Sequence, residues 1–253
     1  MFFQIIETSS AGNCGFLEYD GVNVLIDVGL GIRKIEAYLK TRSLGLDDID
    51  AIFVTHEHLD HCKSLKYFAN KRTRIFANRL TAESIVAIDS NTKGLLWNYF
   101  ENGNEFDFNG IGVCAFSVPH DTSDSVGYKF KLGERNLVWM TDFGKATYLV
   151  KEMARLANIL VLESNYCETM LDNSNRSFSL KNRIKNSHGH LSNTDAINLI
   201  QGLSDDAIER IFLAHISRDC NSVERISELL EDVSLKEKIE IVAPLTQSSV
   251  LEI

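Results

Sequence analysis

Several apolar runs in this chain stop at a side chain that can bind a cation. VLI ends at Asp27, AIFVT at His56, CAFSVP at His120, LVWMT at Asp142 and RIFLA at His215. Short apolar runs of this kind read as buried strands. Loops at strand ends are where a rigid scaffold presents reactive groups. The fold therefore has to accommodate many short strands whose ends carry imidazoles and carboxylates.

Six consecutive positions, His56 to His61, concentrate the pattern as HEHLDH. Zn²⁺ and Mn²⁺ accept imidazole nitrogen and carboxylate oxygen, and a catalytic site keeps a position open for water. A tight loop sends alternate side chains the same way, so His56 and His58 suit one ion while Asp60 and His61 suit a second. Neither set is complete, which makes His120, His215 and a bridging Asp142 natural additions. Taken singly, His120 or His215 reads better as a surface or satisfied core histidine. The six-residue cluster does not. Cys62 adjoins His61, but with no second cysteine nearby it reads as a buried free thiol.

The rest of the chain supplies a mixed order of elements. Strands are expected at 2–7, 22–29, 51–56, RIFAN, 157–165, 208–216 and 238–243, and across most of 105–142. Helices are expected at 32–40, over KSLKYFANK, at TAESIVAI with Thr81 at its capped start, at 192–203 and at 222–232. Consecutive hairpin strands suit a plain doubly wound sheet poorly. Two mixed β-sheets packed face to face with helices outside, an α+β four-layer αββα sandwich, accommodate the order. With two prolines and no Gly/Ser-rich tract, residues 1–253 read as one domain.

Charge and cysteine content narrow the setting. A formal charge of −9 argues against a broad basic nucleic-acid surface without excluding a polyanion, since bound cations offset it locally. The five cysteines form no CxxC pair, as expected of a reduced, cytoplasmic protein. The start MFFQIIETSSAGNCGF lacks a basic leader region, and no apolar run reaches a membrane span.

At this point the sequence resembles the metallo-β-lactamase-fold hydrolases. Their HxHxDH signature is matched by His56, His58, Asp60 and His61, and the later ligands by His120, Asp142 and His215. The resemblance makes Asp27 a structural group beside the metal loop and implies two divalent ions (Zn or Mn). One would be held by His56, His58 and His120, the other by Asp60, His61 and His215, with Asp142 bridging. Ser64 departs from the glycine usual after the signature.

Within that superfamily the chain looks most like the YycJ/WalJ branch of metal-dependent nucleases. SSAGNC, LESNYCETML, SLKNRIKNSHGHLSN and LAHISRDCN carry the match. Tyr166 and Cys167 replace the branch's His-Asp pair, and Ala11 replaces a serine. GHLSN is also similar to an element of RNase Z-type phosphodiesterases. That likeness implies His190 as the group that contacts or protonates the phosphate, supported by Ser192. Ser192 and Asn193 fall at an expected helix N-terminus, favourable for an anion. Asn13 and His188 join the implied substrate contacts, His188 alternatively supporting from behind. Lys181, Arg183 and Lys185 read equally well as backbone contacts or as a solvated charged loop.

The implied function is a dinuclear phosphodiesterase or nuclease, with DNA as the expected partner, cut as by an exonuclease, and no membrane. Asp60 would orient the attacking water as well as bind metal. The alternatives are a metallohydrolase of a small ester, thioester or lactam, and a non-catalytic metal- or nucleic-acid-binding module. Retention of every ligand speaks against the last.

Overall fold

A computed structural model gives the fold and describes residues 1–252. The chain opens with β1 (Phe2–Ser9), β2 (Gly12–Tyr19) and β3 (Val22–Ile26), an antiparallel meander. Helix α1 (Ile32–Thr41), β4 (Ala51–Phe53), the one-turn α2 (Leu59–Cys62), β5 (Arg74–Asn78), α3 (Arg79–Ile88) and β6 (Leu96–Phe100) follow. A second meander comprises β7 (Glu105–Phe108), β8 (Ile111–Ser117), β9 (Val126–Leu132) and β10 (Arg135–Met140). Then come α4 (Tyr148–Arg155), β11 (Ile159–Glu163), α5 (Glu168–Asn173), α6 (Phe178–Lys185), α7 (Asn193–Gln201) and β12 (Arg210–Ala214). Helix α8 (Val223–Leu230), β13 (Ile239–Ile241) and β14 (Leu251–Glu252) complete it.

The strands form two mixed seven-stranded sheets, ordered β14-β1-β2-β3-β4-β5-β6 and β13-β12-β11-β10-β9-β8-β7. Side-chain alternation explains the layering. β11 sends Ile159 and Val161 into the inter-sheet core and Leu160 and Leu162 to the helix side. β3 does the same, with Val24 and Ile26 between the sheets and Leu25 outward. Strands covered on both faces read as continuous apolar runs, which is how these runs appear in the sequence. Phe3, Phe53, Trp139 and Phe212 fill the middle, and α1 and α3 cover one sheet while α4, α7 and α8 cover the other.

The expected αββα sandwich is therefore the fold, with local differences. KSLKYFANK makes only a 3-10 turn at Leu65–Phe68, because the backbone reverses at Asn70, whose φ is 65°. The α3 cap is Asn78, which accepts from Thr81 N–H at 2.9 Å, so the helix begins before Thr81. Strand β6 and helices α4, α5 and α6 were not expected, and β14 pairs with β1 from the far end of the chain.

β3, β4 and β5 run parallel in one sheet, and β10, β11 and β12 in the other. Open sheets of parallel strands bind ligands beyond the carboxyl ends of their strands. Those ends are where Asp27, the 54–61 loop, Asp142, Glu163 and His215 lie.

Candidate metal centre

Three strand exits turn abruptly. Asp27, Asp142 and His215 follow β3, β10 and β12, and all three hold left-handed backbone conformations, with φ of 58°, 59° and 53°. Non-glycine residues adopt this region at a cost, and such strain collects at functional sites. The turn is what brings each side chain back over the strand ends.

The 54–61 loop is braced from beneath. Thr55 donates its N–H to Asp27 Oδ1 at 2.9 Å and its hydroxyl to Asp27 Oδ2 at 2.9 Å. Asp27 Oδ2 also lies 2.8 Å from His61 Nδ1, which leaves His61 Nε2 for the cluster. Asp27 thus lies beneath the loop and meets both Thr55 and His61. Gly29 makes the close approach possible, since a Cβ there would fall 1.6 Å from the Asp60 carbonyl oxygen. Ser64, where a glycine was expected, is buried and donates its hydroxyl to Leu30 O at 2.5 Å. It ties the loop to the segment after β3.

All seven expected ligands converge. His56, His58 and His120 bring donor atoms within 4.8 Å of one another, as do Asp60, His61 and His215, and His56, His61 and Asp142. Asp142 spans the two halves. Its Oδ2 lies 3.1 Å from His61 Nε2, and its Oδ1 lies 3.8 Å from His120 Nε2 and 3.5 Å from His215 Nδ1. The far ring nitrogens are held: His56 Nδ1 by Thr55 Oγ1 at 3.0 Å, and His120 Nδ1 by the Gly189 carbonyl at 3.0 Å. Carboxylate and carbonyl partners of this kind fix the tautomer of a ligating histidine.

These donors suit a divalent cation. His120 Nε2 and His215 Nε2 are buried with no hydrogen-bond partner, and buried Asp142 Oδ2 meets only the His61 ring, at 3.1 Å. Buried polar atoms are ordinarily satisfied, and cations held in the two halves of the cluster would satisfy them. The electrostatics agree. Burial opposes ionisation of Asp142, yet His215 and His61 hold its carboxyl well below the usual carboxylate range. Burial lowers His61 and His215, but Asp142 and its fellow carboxylates outweigh it, lifting His61 well above its ordinary value and His215 to about 10. Burial, with neighbouring imidazoles, leaves His56 and His120 low and neutral. The cluster thus gathers positive charge around its carboxylates, a place a cation takes by displacing protons.

One residue that sequence reasoning missed is Glu163, at the end of β11 and fully buried. Its Oε1 lies 2.8 Å from both His190 Nδ1 and His215 Nδ1. Its Oε2 accepts the N–H groups of Phe143 and Leu191, each at 3.0 Å. One carboxylate therefore orients His215 and His190 together. The available signal was LVLESN, a further apolar strand ending in a carboxylate.

The remaining expected residues divide. His190 is 23% exposed and 3.6 Å from Asp142 Oδ1, at the edge of the cluster. Burial lowers its pKa, but Glu163 and Asp142 raise it above the ordinary value. Asn13 is fully buried; its amide nitrogen lies 3.0 Å from His61 Nε2 and 3.3 Å from the Asp60 carbonyl oxygen. Ser192 caps α7, accepting from Asp195 N–H at 3.1 Å, while buried Asn193 bonds Ser164 and Asn221. His188 is exposed and meets only Ser187 through its ring. Lys181 donates to the Asp172 carbonyl at 2.7 Å, Arg183 pairs with Asp121, and Lys185 with Asp172. Glu57 faces away to accept from Ser123 N–H at 2.7 Å, and Cys62 donates to the Glu57 carbonyl.

A histidine–carboxylate cluster of this form, on the strand ends of an αββα sandwich, defines a metal-binding hydrolase. Residues 22–216 match the beta-lactamase superfamily domain, and the chain belongs to that superfamily. Exodeoxyribonuclease YycJ of Bacillus anthracis is 32% identical over 237 residues, which cover 92% of this chain and 90% of that protein. Exodeoxyribonuclease WalJ of Streptococcus pneumoniae strain D39 is 29% identical over 226 residues, covering 87% and 82%. Among solved structures, Zn²⁺-bound PqqB from Methylobacterium extorquens has the same fold, with a TM-score of 0.77 at 16% identity over 100% of both chains.

Proposed function

We propose that this protein is an exonuclease acting on DNA with two divalent cations, Zn²⁺ or Mn²⁺. His56, His58 and His120 would hold one cation and Asp60, His61 and His215 the other, with Asp142 between them. When bound, such cations supply a water nucleophile at neutral pH and neutralise charge that develops on the phosphate. Asp60 would also help to orient the nucleophile from the side of the loop.

The observation that most supports a phosphodiester substrate is His190. Its Nδ1 is committed to Glu163 at 2.8 Å while the ring remains partly exposed at the edge of the cluster. Nε2 is then free to give a proton to the leaving oxygen as the phosphorus–oxygen bond breaks. Glu163 holds the ring in place and stabilises its charged form. Asn13, Ser192 and Asn193 serve as positioning residues behind the surface, and exposed His188 is the substrate contact of that loop. The two similar exodeoxyribonucleases support DNA as the substrate. No helix among the described residues is long and apolar enough to cross a membrane. A cytoplasmic location belongs to the same proposal, in keeping with five unpaired cysteines.

The test is incubation with end-labelled single- and double-stranded DNA and RNA in Mn²⁺, with products sized over time. Mononucleotides released progressively from DNA ends are expected. Turnover confined to ester, thioester or lactam substrates would replace the proposal.

A further inference from the structure

A cavity of about 580 Å³ opens between the start of α1 and the chain leaving the metal loop. Arg33, Lys34, Lys63 and Tyr67 line it, with Glu7 in its wall. Lys34 donates to Glu7 Oε2 at 2.6 Å, so those two charges cancel. Arg33 and Lys63 are exposed and make no ion pair or side-chain hydrogen bond among the described residues. Tyr67 is 48% exposed. The first turn of α1 adds to this positive ground: Gly31 offers no capping side chain and the turn itself holds no acidic residue. The helix end therefore keeps unsatisfied N–H groups and its partial positive charge.

The cavity wall is continuous with the metal loop. Leu30 and Lys63 both line it, and Lys63 is two residues beyond His61. Val28 N–H donates to the His61 carbonyl at 2.8 Å, and Ser64 fastens the same segments at Leu30. The chain's formal charge is −9, and in α6 Arg183 pairs with Asp121 and Lys185 with Asp172.

We propose that this cavity is a phosphate subsite for the nucleic-acid backbone next to the bond that is cut. It deepens, and rests on, the nuclease reading above. Arg33 offers a planar fork that matches phosphate oxygens, and Lys63 a point charge. Tyr67 is a platform for the adjoining base, since stacking accepts any base. Backbone contact thus comes from the α1 side of the metal loop and not from Lys181 and Arg183.

The test compares wild type, the double variant Arg33→Glu/Lys63→Glu, Tyr67→Ala and the charge-matched control Lys151→Glu/Lys236→Glu. Affinity for a short single-stranded DNA is read by fluorescence anisotropy over a salt series, with Ca²⁺ as the cation. Oligonucleotides carry either a 5′-phosphate or a 5′-hydroxyl. Metal content and thermal melts establish that each variant is folded.

The double variant is expected to bind about tenfold more weakly or worse, and its slope of log K against log salt to fall by about 1.4 for two lost contacts. Tyr67→Ala weakens binding without changing the slope, and Lys151→Glu/Lys236→Glu changes neither. Loss confined to the phosphorylated end assigns a terminal phosphate to the subsite; equal loss assigns an internal one. Wild-type affinity and slope in the double variant would overturn the subsite. Wild-type protein that binds DNA through these residues but cleaves none would overturn the nuclease reading and leave the subsite standing.

Discussion

Replacing Glu163 by glutamine keeps the size of the side chain and removes one acceptor face. The carboxylate serves four donors, His190 and His215 on Oε1 and the N–H groups of Phe143 and Leu191 on Oε2. Glutamine has one carbonyl oxygen, so whichever way the amide turns, an NH₂ group faces two of those donors. A hydrogen bond to a charged group contributes about 1.5–3 kcal/mol, so losing two costs about 3–6 kcal/mol. For a chain of this size each kcal/mol moves the melting temperature by about 2–4 °C. Glu163→Gln is therefore expected to melt at least about 6 °C below wild type. Its kcat, measured in Mn²⁺ well below the melt, should fall about 100-fold or more as His190 loses its orientation. Differential scanning calorimetry and single-turnover cleavage of end-labelled DNA read the two effects. A variant with a wild-type melt and wild-type kcat would refute the reasoning, because a buried carboxylate at this junction cannot be idle.

Three further outcomes follow from the same geometry. Asp142→Ala should lose bound metal and turnover together, whereas His190→Ala should keep its metal and lose turnover; elemental analysis of both proteins checks this, and metal loss in His190→Ala would count against its role. Metal at a thousandfold excess over its dissociation constant stabilises by about 4.1 kcal/mol, so adding it to stripped protein should raise the melt by about 8–16 °C. No shift would mean that the buried atoms of His120, His215 and Asp142 are not ligands. Burial pushes the Cys62 thiol up to about 12, and Cys14, Cys114 and Cys220 are also buried. A thiol-reactive dye at pH 8 should label only Cys167 quickly in native protein; fast labelling of Cys62 would show the metal loop to be open.

Much of the site was legible because its signals are local. A buried strand must be apolar, and a ligand at its exit stands out against it, as at His56, Asp142 and His215. Glu163 sits at the same kind of exit yet was passed over. Its role depends on His190 and His215, 27 and 52 residues further along the chain, arriving at the same oxygen. The ion pairs of α6 were hidden for a similar reason. Asp121, which pairs with Arg183, lies 62 residues away, so its neutralising effect leaves no mark near the basic stretch. β14 is two residues long and pairs with β1 across nearly the whole chain, a contact no local pattern announces. The sandwich itself followed from strand count and hairpin order. Ser64, a departure from the family pattern, proved to be a tie between two loops and not a break in one.

The central claim is that cleavage of DNA depends on the paired cation sites of this cluster. Stripped protein titrated with Mn²⁺, with exonucleolytic release of nucleotides followed at each addition, tests it directly. The account predicts no cleavage without metal and activity that rises until two ions are bound per chain. Full cleavage by stripped protein held in chelator would contradict it.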